Sequence, residues 1–261
     1  MVLTFSLFSL QSAAYFSRKG SVMVTVFRLT VAALPVMACL LGNVQAEEFD
    51  PLERGLNAYN SGDFKAAYNF TIPLAHQGNT DAKNLLGMMY ELGKGVPVNL
   101  GRSVAYYRQA AEQGNRYAQY NLAVSFDAGT GVPQNYREAV KWFRQAAKKG
   151  VSSAQYDLAV MLEQGRGTTK DLPKAADWYV KAAEQGHMQA QNNLAWLYET
   201  GKGVKQNLIA AYAWFDAAAA QGFSVASQKR DALKASLSAK DLLRAQAQSR
   251  KILKLTKLAA Q

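Results

Sequence analysis

The sequence predicts an all-α protein, a solenoid of stacked helix-turn-helix units with a period of 36 residues. Three observations carry that prediction. Columns of like residues recur at one fixed step through the middle of the chain, apolar positions inside each step fall at helical spacing, and residues that end or begin helices stand at the same places in every step.

The step separates Gly78, Gly114, Gly150, Gly186 and Gly222, and equally the pairs Gly93/Gly95, Gly129/Gly131, Gly165/Gly167 and Gly201/Gly203. It also links Ala82, Ala118, Ala154, Ala190 and Ala226, and Leu86, Leu122, Leu158 and Leu194. A column of Tyr106, Trp142, Trp178 and Trp214 is followed each time by Tyr107, Phe143, Tyr179 or Phe215. Within one unit Ala118, Leu122, Ala123 and Phe126 share one helical face, and Ala139, Trp142, Phe143, Ala146 and Ala147 share another, so each unit is two helices. The small residues Gly87, Ala123, Ala159 and Ala195 mark a close approach of helix backbones, and the aromatic column is expected to fill the space between hairpins. A lone hairpin cannot bury its apolar face, so the units must stack. Gly93, Gly129, Gly165 and Gly201 fall one step past a helix, where a left-handed residue closes the last turn. Asn99, Asn135, Asp171 and Asn207 then suit the cap of the next helix, with Glu138 expected to complete a capping box on Asn135 and Pro173 at an early helical position.

These residues resemble the Sel-one-like repeat (SLR) family, a branch of the tetratricopeptide (TPR) superfamily. Its unit reads A-x-x-x-L-G-x-x-Y-x-x-G-x-G-V, a short loop, then A-x-x-W-[YF]-x-x-A-A-x-x-G. Four units match, over residues 79–222. The resemblance implies a right-handed superhelical solenoid. For function it implies that relatives act as adaptors, often in bacterial envelopes.

The flanks are read in the same way. Arg28, the apolar run Leu29 to Gly42 and the small residues of Val44-Gln45-Ala46 predict a signal peptide over residues 1–46, cleaved after Ala46 to leave Glu47 first. The run is 14 residues long, where a spanning helix needs about 20, which disfavours a membrane anchor. The leader is over-long, and Met23 is a second candidate start. Cys39, the only cysteine, ends Val36-Met37-Ala38-Cys39; this weakly resembles a lipoprotein box, but Met37 and the apolar run beyond Cys39 argue against lipidation. The expected location is periplasmic or secreted. Residues 47–78 look like an N-terminal TPR-like unit with the shortened loop Ser61-Gly62-Asp63-Phe64. Residues 223–261 read as a closing helical pair with a basic tail.

Charge and composition exclude several function classes. Removing Arg18, Lys19 and Arg28 from the 30 basic residues leaves 27 against 19 acidic ones. From Gln228 onward nine basic residues stand against Asp231 and Asp241, so the repeat body is nearly neutral and lacks the basic stripe of a nucleic-acid-binding surface. With no cysteine beyond the leader and two histidines, His76 and His187, at helix positions shared with unrelated residues, neither a metal site nor a cofactor is expected. The four G-x-G loops follow no strand and recur at every turn, which makes them structural rather than phosphate cradles. No catalytic residue is assigned.

In TPR-like arrays the first helix of each unit lines a concave groove, and the resemblance carries that geometry to three columns here. They are Asn84/Tyr120/Tyr156/Asn192, Met88/Val124/Val160/Trp196 and Glu91/Asp127/Glu163/Glu199. Amides and tyrosines suit an extended peptide, and the acids favour a basic one. A helix over residues 239–258 would carry Lys240, Arg244, Lys251 and Lys254 on one side and Leu242, Ala245, Ile252 and Leu253 on the other, offering weak contact with a membrane surface or an acidic partner. The sequence thus reads as a non-enzymatic protein–protein interaction scaffold of the bacterial cell envelope, binding a protein or peptide in the groove. The alternative is an envelope factor for cell-wall or exopolysaccharide assembly or its regulation, attached to the membrane.

Overall fold

A computed structural model describes residues 50–259, so the expectations placed on the leader, Met23, Cys39 and the cleavage site lie outside the described residues. Among the described residues there are twelve helices and no strand. They are α1 (Pro51–Asn60), α2 (Phe64–His76), α3 (Thr80–Leu92), α4 (Leu100–Glu112), α5 (Arg116–Ala128), α6 (Tyr136–Lys148), α7 (Ser152–Gln164), α8 (Leu172–Glu184), α9 (Met188–Thr200), α10 (Leu208–Ala220), α11 (Ser224–Ser236) and α12 (Ala239–Ala259). Each helix from α1 to α10 packs on the next in chain order, and within the repeats the partner in its own unit is the more intimate neighbour. The four repeats are α3/α4, α5/α6, α7/α8 and α9/α10, with α1/α2 as the shorter unit before them.

The caps explain why every repeat helix has one length. Gly93, Gly129, Gly165 and Gly201 close the first helices in the left-handed conformation, as expected. Asn99, Asn135, Asp171 and Asn207 accept from the amides two or three residues on and so begin the second helices. The capping box expected of Asn135 and Glu138 is only half made: the Asn135 amide donates instead to the Phe126 carbonyl at 2.8 Å, and Glu138 pairs with Lys141 at 3.2 Å. The same loop-closing bond joins Asn99 to Tyr90, Asp171 to Leu162 and Asn207 to Tyr198. A repeat-wide backbone bond has taken the donor that a capping box would use. The second glycine of each G-x-G loop sets the distance between units. At Gly131 φ is +73°, and an added Cβ would stand 2.5 Å from the carbonyl oxygen of Leu100, the first residue of the preceding unit's second helix.

The core follows the Ala and Leu columns: Ala82, Ala118, Ala154 and Ala190, with Leu86, Leu122, Leu158 and Leu194, are wholly buried. The aromatic column divides. Trp142 and Trp214 are buried as expected, whereas Tyr106 and Trp178 are only half-buried at its rim, and the residues that follow, Tyr107, Phe143, Tyr179 and Phe215, are the more deeply buried. Lys181 Nζ lies 4.2 Å from the centroid of the Trp178 ring, which places that ring against solvent on one side. The small-residue column behaves as expected at Gly87, where a Cβ would meet the Tyr107 ring at 2.5 Å.

A buried polar column escaped the sequence reading. Gln119, Gln155 and Gln191 donate to the carbonyls of Ala111, Ala147 and Ala183 at 3.0, 3.1 and 3.1 Å, so each first helix satisfies the open end of the preceding second helix. Gln185 and Gln221 then donate to Gln155 and Gln191 at 2.7 and 2.8 Å. At the N-terminal end this column carries Lys83 instead.

The closing helices form as predicted but not as a pair. Leu237, extended at φ −76° and ψ 144°, ends α11, and Ser238 caps α12 by accepting from the Asp241 amide at 3.1 Å. From there α12 packs on α10 and reaches back to α8 rather than lying along α11. Ala245, Ser249 and Ile252 face inward, and Ser249 donates to Asp216 of α10 at 2.5 Å. Lys240, Arg244, Lys251 and Lys254 are exposed, as the pattern predicts.

Candidate binding surface

The first helices α3, α5, α7 and α9 carry the three predicted columns. Asn84, Tyr120, Tyr156 and Asn192 are all half-buried, and three of them reach the residue 37 positions on in the next unit. Asn121 donates to Asn84 at 2.9 Å, the Tyr120 hydroxyl faces the Asp157 carboxylate, and Tyr156 faces Asn193, whose amide donates to Tyr179 at 3.2 Å. The column expected to be free for a ligand therefore also joins one unit to the next. Met88, Val124, Val160 and Trp196 are half-buried against the core.

The acidic column splits into two kinds, by the residue that follows the rim aromatic. Where it is tyrosine, the hydroxyl donates to the acid: Tyr107 to Glu91 and Tyr179 to Glu163, each at 2.6 Å. Where it is phenylalanine, no hydroxyl exists and a cation serves instead: Arg166 lies 3.5 Å from Asp127 and Lys229 lies 3.3 Å from Glu199. Burial first, and then the carboxylate each one faces, pushes the Tyr107 and Tyr179 hydroxyls far above the usual phenol range. Glu91 and Glu163 are thus the acids of this column with no cation in salt-bridge range among the described residues.

Asp157 was missed by the sequence reading because its column holds amides in neighbouring units. Burial pushes its carboxyl up to about 6; the Tyr120 hydroxyl and Arg166 oppose that shift and Asp127 adds to it. Tyr120 is itself pushed up to about 12, first by burial and then by Asp157. The hydroxyl therefore keeps its proton and faces the carboxylate, and the pair spans the boundary between two units. His187 caps α9, its Nδ1 accepting from the Ala190 amide at 3.3 Å, and its ring stacks on Tyr156 at 4.6 Å. Burial lowers its pKa and favours the neutral ring that such a cap requires.

One concavity gathers several predicted residues. Glu163, Asn192 and Trp196 line about 240 Å³ together with Asn193, Phe215, Val225 and Lys229. Asn84, Met88, Glu91, Tyr120, Asp127 and Tyr156 do not border it, and Glu199 touches it only through Lys229. Its contents are complementary in type: a buried aromatic floor at Phe215, the half-exposed Val225, a carboxylate at Glu163, and an Asn192 Oδ1 that is buried with no hydrogen-bond partner. Lys202 Nζ lies 4.6 Å from the Trp196 ring centroid, so that ring already receives a cation on one side. Among the described residues no cluster of three or more His, Cys, Asp or Glu is placed to hold a metal, and no helix is long and apolar enough to cross a membrane.

Stacked helical hairpins with variable residues on one face define a class, the α-helical repeat proteins that present side chains along a solenoid. Within that class the chain belongs to the Sel1 repeat family, whose profile matches residues 80–115, 116–151, 152–187 and 189–223. It is similar to a Sel1 repeat protein from Oxalobacter formigenes, at 33% identity over 76% of this chain and 83% of that one, with a TM-score of 0.66. It is also similar to a protective antigen of uropathogenic Escherichia coli strains that displays an SLR fold, at 30% identity over 80% of this chain and 54% of that one, with a TM-score of 0.54. No curated protein matches the chain. Sel1 repeat proteins are generally scaffolds for protein–protein interaction, and typically without catalytic activity.

Proposed function

We propose that this chain is a non-enzymatic adaptor of the bacterial cell envelope that holds a protein or peptide partner against the face formed by α3, α5, α7 and α9. The observation that carries the reading is the concavity at Asn192 and Trp196, where a buried acceptor without a partner meets an aromatic wall and an acid without a cation. An extended segment answers each of these, with a backbone amide for Asn192 Oδ1, an apolar side chain for Val225 and Phe215, and a lysine or arginine for Glu163. Screening a random peptide library on the purified chain should enrich basic peptides. Trp196→Ala and Glu163→Gln should each weaken the best binder about tenfold; the glutamine keeps an acceptor for Tyr179, so the fold is spared. Peptides without basic residues, or equal binding by both variants, would refute the groove assignment.

Export is the second part of the proposal and rests on the leader pattern of residues 1–46. Protein recovered from a periplasmic extract should begin at Glu47 and carry no lipid. Recovery from the cytoplasm with the leader intact, or a diacylglyceryl mass on Cys39, would count against it. A membrane-attached role in wall or exopolysaccharide assembly is the second reading. It draws on α12, whose outer face exposes Lys240, Arg244, Arg250, Lys251 and Lys254 beside Leu243 and Leu255, the two leucines 67% and 59% exposed.

A further inference from the structure

The second helix of the short N-terminal unit and the first full repeat line a larger cavity, of about 500 Å³ and open to solvent, away from the groove. On α3 its residues Lys83 and Tyr90 stand about 100° round the helix from the groove column of Asn84 and Glu91. Lys83, Arg102 and His76 line it with Tyr90, Tyr106 and Gln109. It lies at a seam, because the buried core divides here into an N-terminal cluster ending at Met89 and a larger one beginning at Val104.

Two departures from the repeat create this cavity. Lys83 occupies the column that holds Gln119, Gln155 and Gln191 in the following units, where a neutral amide ties one unit to the next. Tyr106 occupies the column of Trp142, Trp178 and Trp214, so a smaller ring leaves room at the rim. The other junctions are built without either departure. Lys83 is only 7% exposed, and a buried ammonium group is costly unless it is paired. With its amide oriented as its neighbours require, Gln113 donates to the Gly78 carbonyl and accepts from Lys83 Nζ at 2.9 Å. That uses one of three donors and neutralises no charge. Among the described residues neither Lys83 nor Arg102 has a carboxylate within salt-bridge distance. Arg102 is exposed; it donates to the Tyr90 hydroxyl at 3.4 Å and lies over that ring. The Tyr90 and Tyr106 rings are stacked, 5.8 Å apart and 8° from parallel, forming a flat aromatic side to the cavity.

We infer that this cavity is a binding site for a small organic anion, whose carboxylate or phosphate is held between Lys83 and Arg102 while its planar body lies against Tyr106. A volume of this size is in the range of small-molecule sites, about 300 to 1,000 Å³. Two cations without a carboxylate supply the charge, and the buried one supplies most of the discrimination because it is screened least by salt.

The test uses the purified chain, titrated calorimetrically with phenyl phosphate, benzoate and the neutral benzamide at fixed ionic strength. At least one of the two anions should bind saturably and benzamide at least tenfold more weakly; which anion binds decides between a phosphate and a carboxylate ligand. Lys83→Gln should weaken anion binding at least tenfold without lowering the melting temperature of the free protein, because it restores the amide that the other junctions carry. Arg102→Gln, at an exposed position, should weaken it several-fold. Failure of both anions to saturate, benzamide binding as well as the anions, or undiminished binding by Lys83→Gln would each overturn the inference. The peptide screen involves none of these residues, so either result can fail alone.

Discussion

Replacing Phe143 with alanine should destabilise the array by about 3 to 5 kcal/mol, the usual cost of removing a buried aromatic ring. Phe143 is 2% exposed and lies between α5 and α6, with the Tyr120 ring 5.9 Å away. Its loss opens a cavity in the core that also holds the wholly buried Ala123 and Leu122. Trp178→Ala, in the neighbouring column, should cost clearly less although tryptophan is larger, because its ring is half-buried and already faces Lys181. Urea denaturation of both variants followed by circular dichroism would decide the matter. A Trp178 variant as unstable as the Phe143 variant would contradict the placement of Trp178 at the rim. Because coupling in a solenoid runs between neighbours, the Phe143 variant should also lose hydrogen-exchange protection first in α5 and α6.

Gly131→Ala should be nearly as damaging, at about 2 to 5 kcal/mol, for a change of one methyl group. A left-handed backbone costs an alanine about 1 to 2 kcal/mol, and the overlap with the Leu100 carbonyl adds a further 1 to 3 kcal/mol or so. The obstacle is backbone at the start of α4, which cannot rotate away as a side chain would. Gly150→Ala is the matched control: φ is +85°, but a Cβ there would meet nothing within 4 Å. It should show the conformational penalty alone. Equal melting temperatures for the two variants would mean that the contact between units is soft enough to yield.

The number of helices, their lengths and the loop glycines were legible because each is written four times over, and a column repeated at one step can be tied to a cap or a core position. Which of two adjacent aromatics points inward was not. Trp178 and Tyr179 differ by about 100° round the helix, and only the way neighbouring hairpins lean decides between them. The joint between Tyr120 and Asp157 was hidden for a related reason, since it spans 37 residues and depends on how far one unit is displaced along the next. Of the predicted groove residues, Glu163, Asn192 and Trp196 meet at one concavity because α11 closes it with Val225 and Lys229. Lys83 stood in plain sight as a break in the glutamine column, but the sequence alone did not reveal that this column is buried.

The crossing of α12 over α10 towards α8 has a consequence for how the molecule is made. Elsewhere the chain meets itself only at short sequence separation, and such segments find each other quickly. The helix α12 instead packs on both α10 and α8 and brings Thr256 beside Gly186, 70 positions away, where a Cβ added to the glycine would stand 3.9 Å from it, so it can dock only once the two helices beneath it are already formed. It is placed to act as a late clasp on the third and fourth repeats, a contact that the units before them do not receive. A ribosome emits α12 after the repeats it packs on, and a chain truncated before residue 239 should therefore contain every repeat and yet lack the step that locks them.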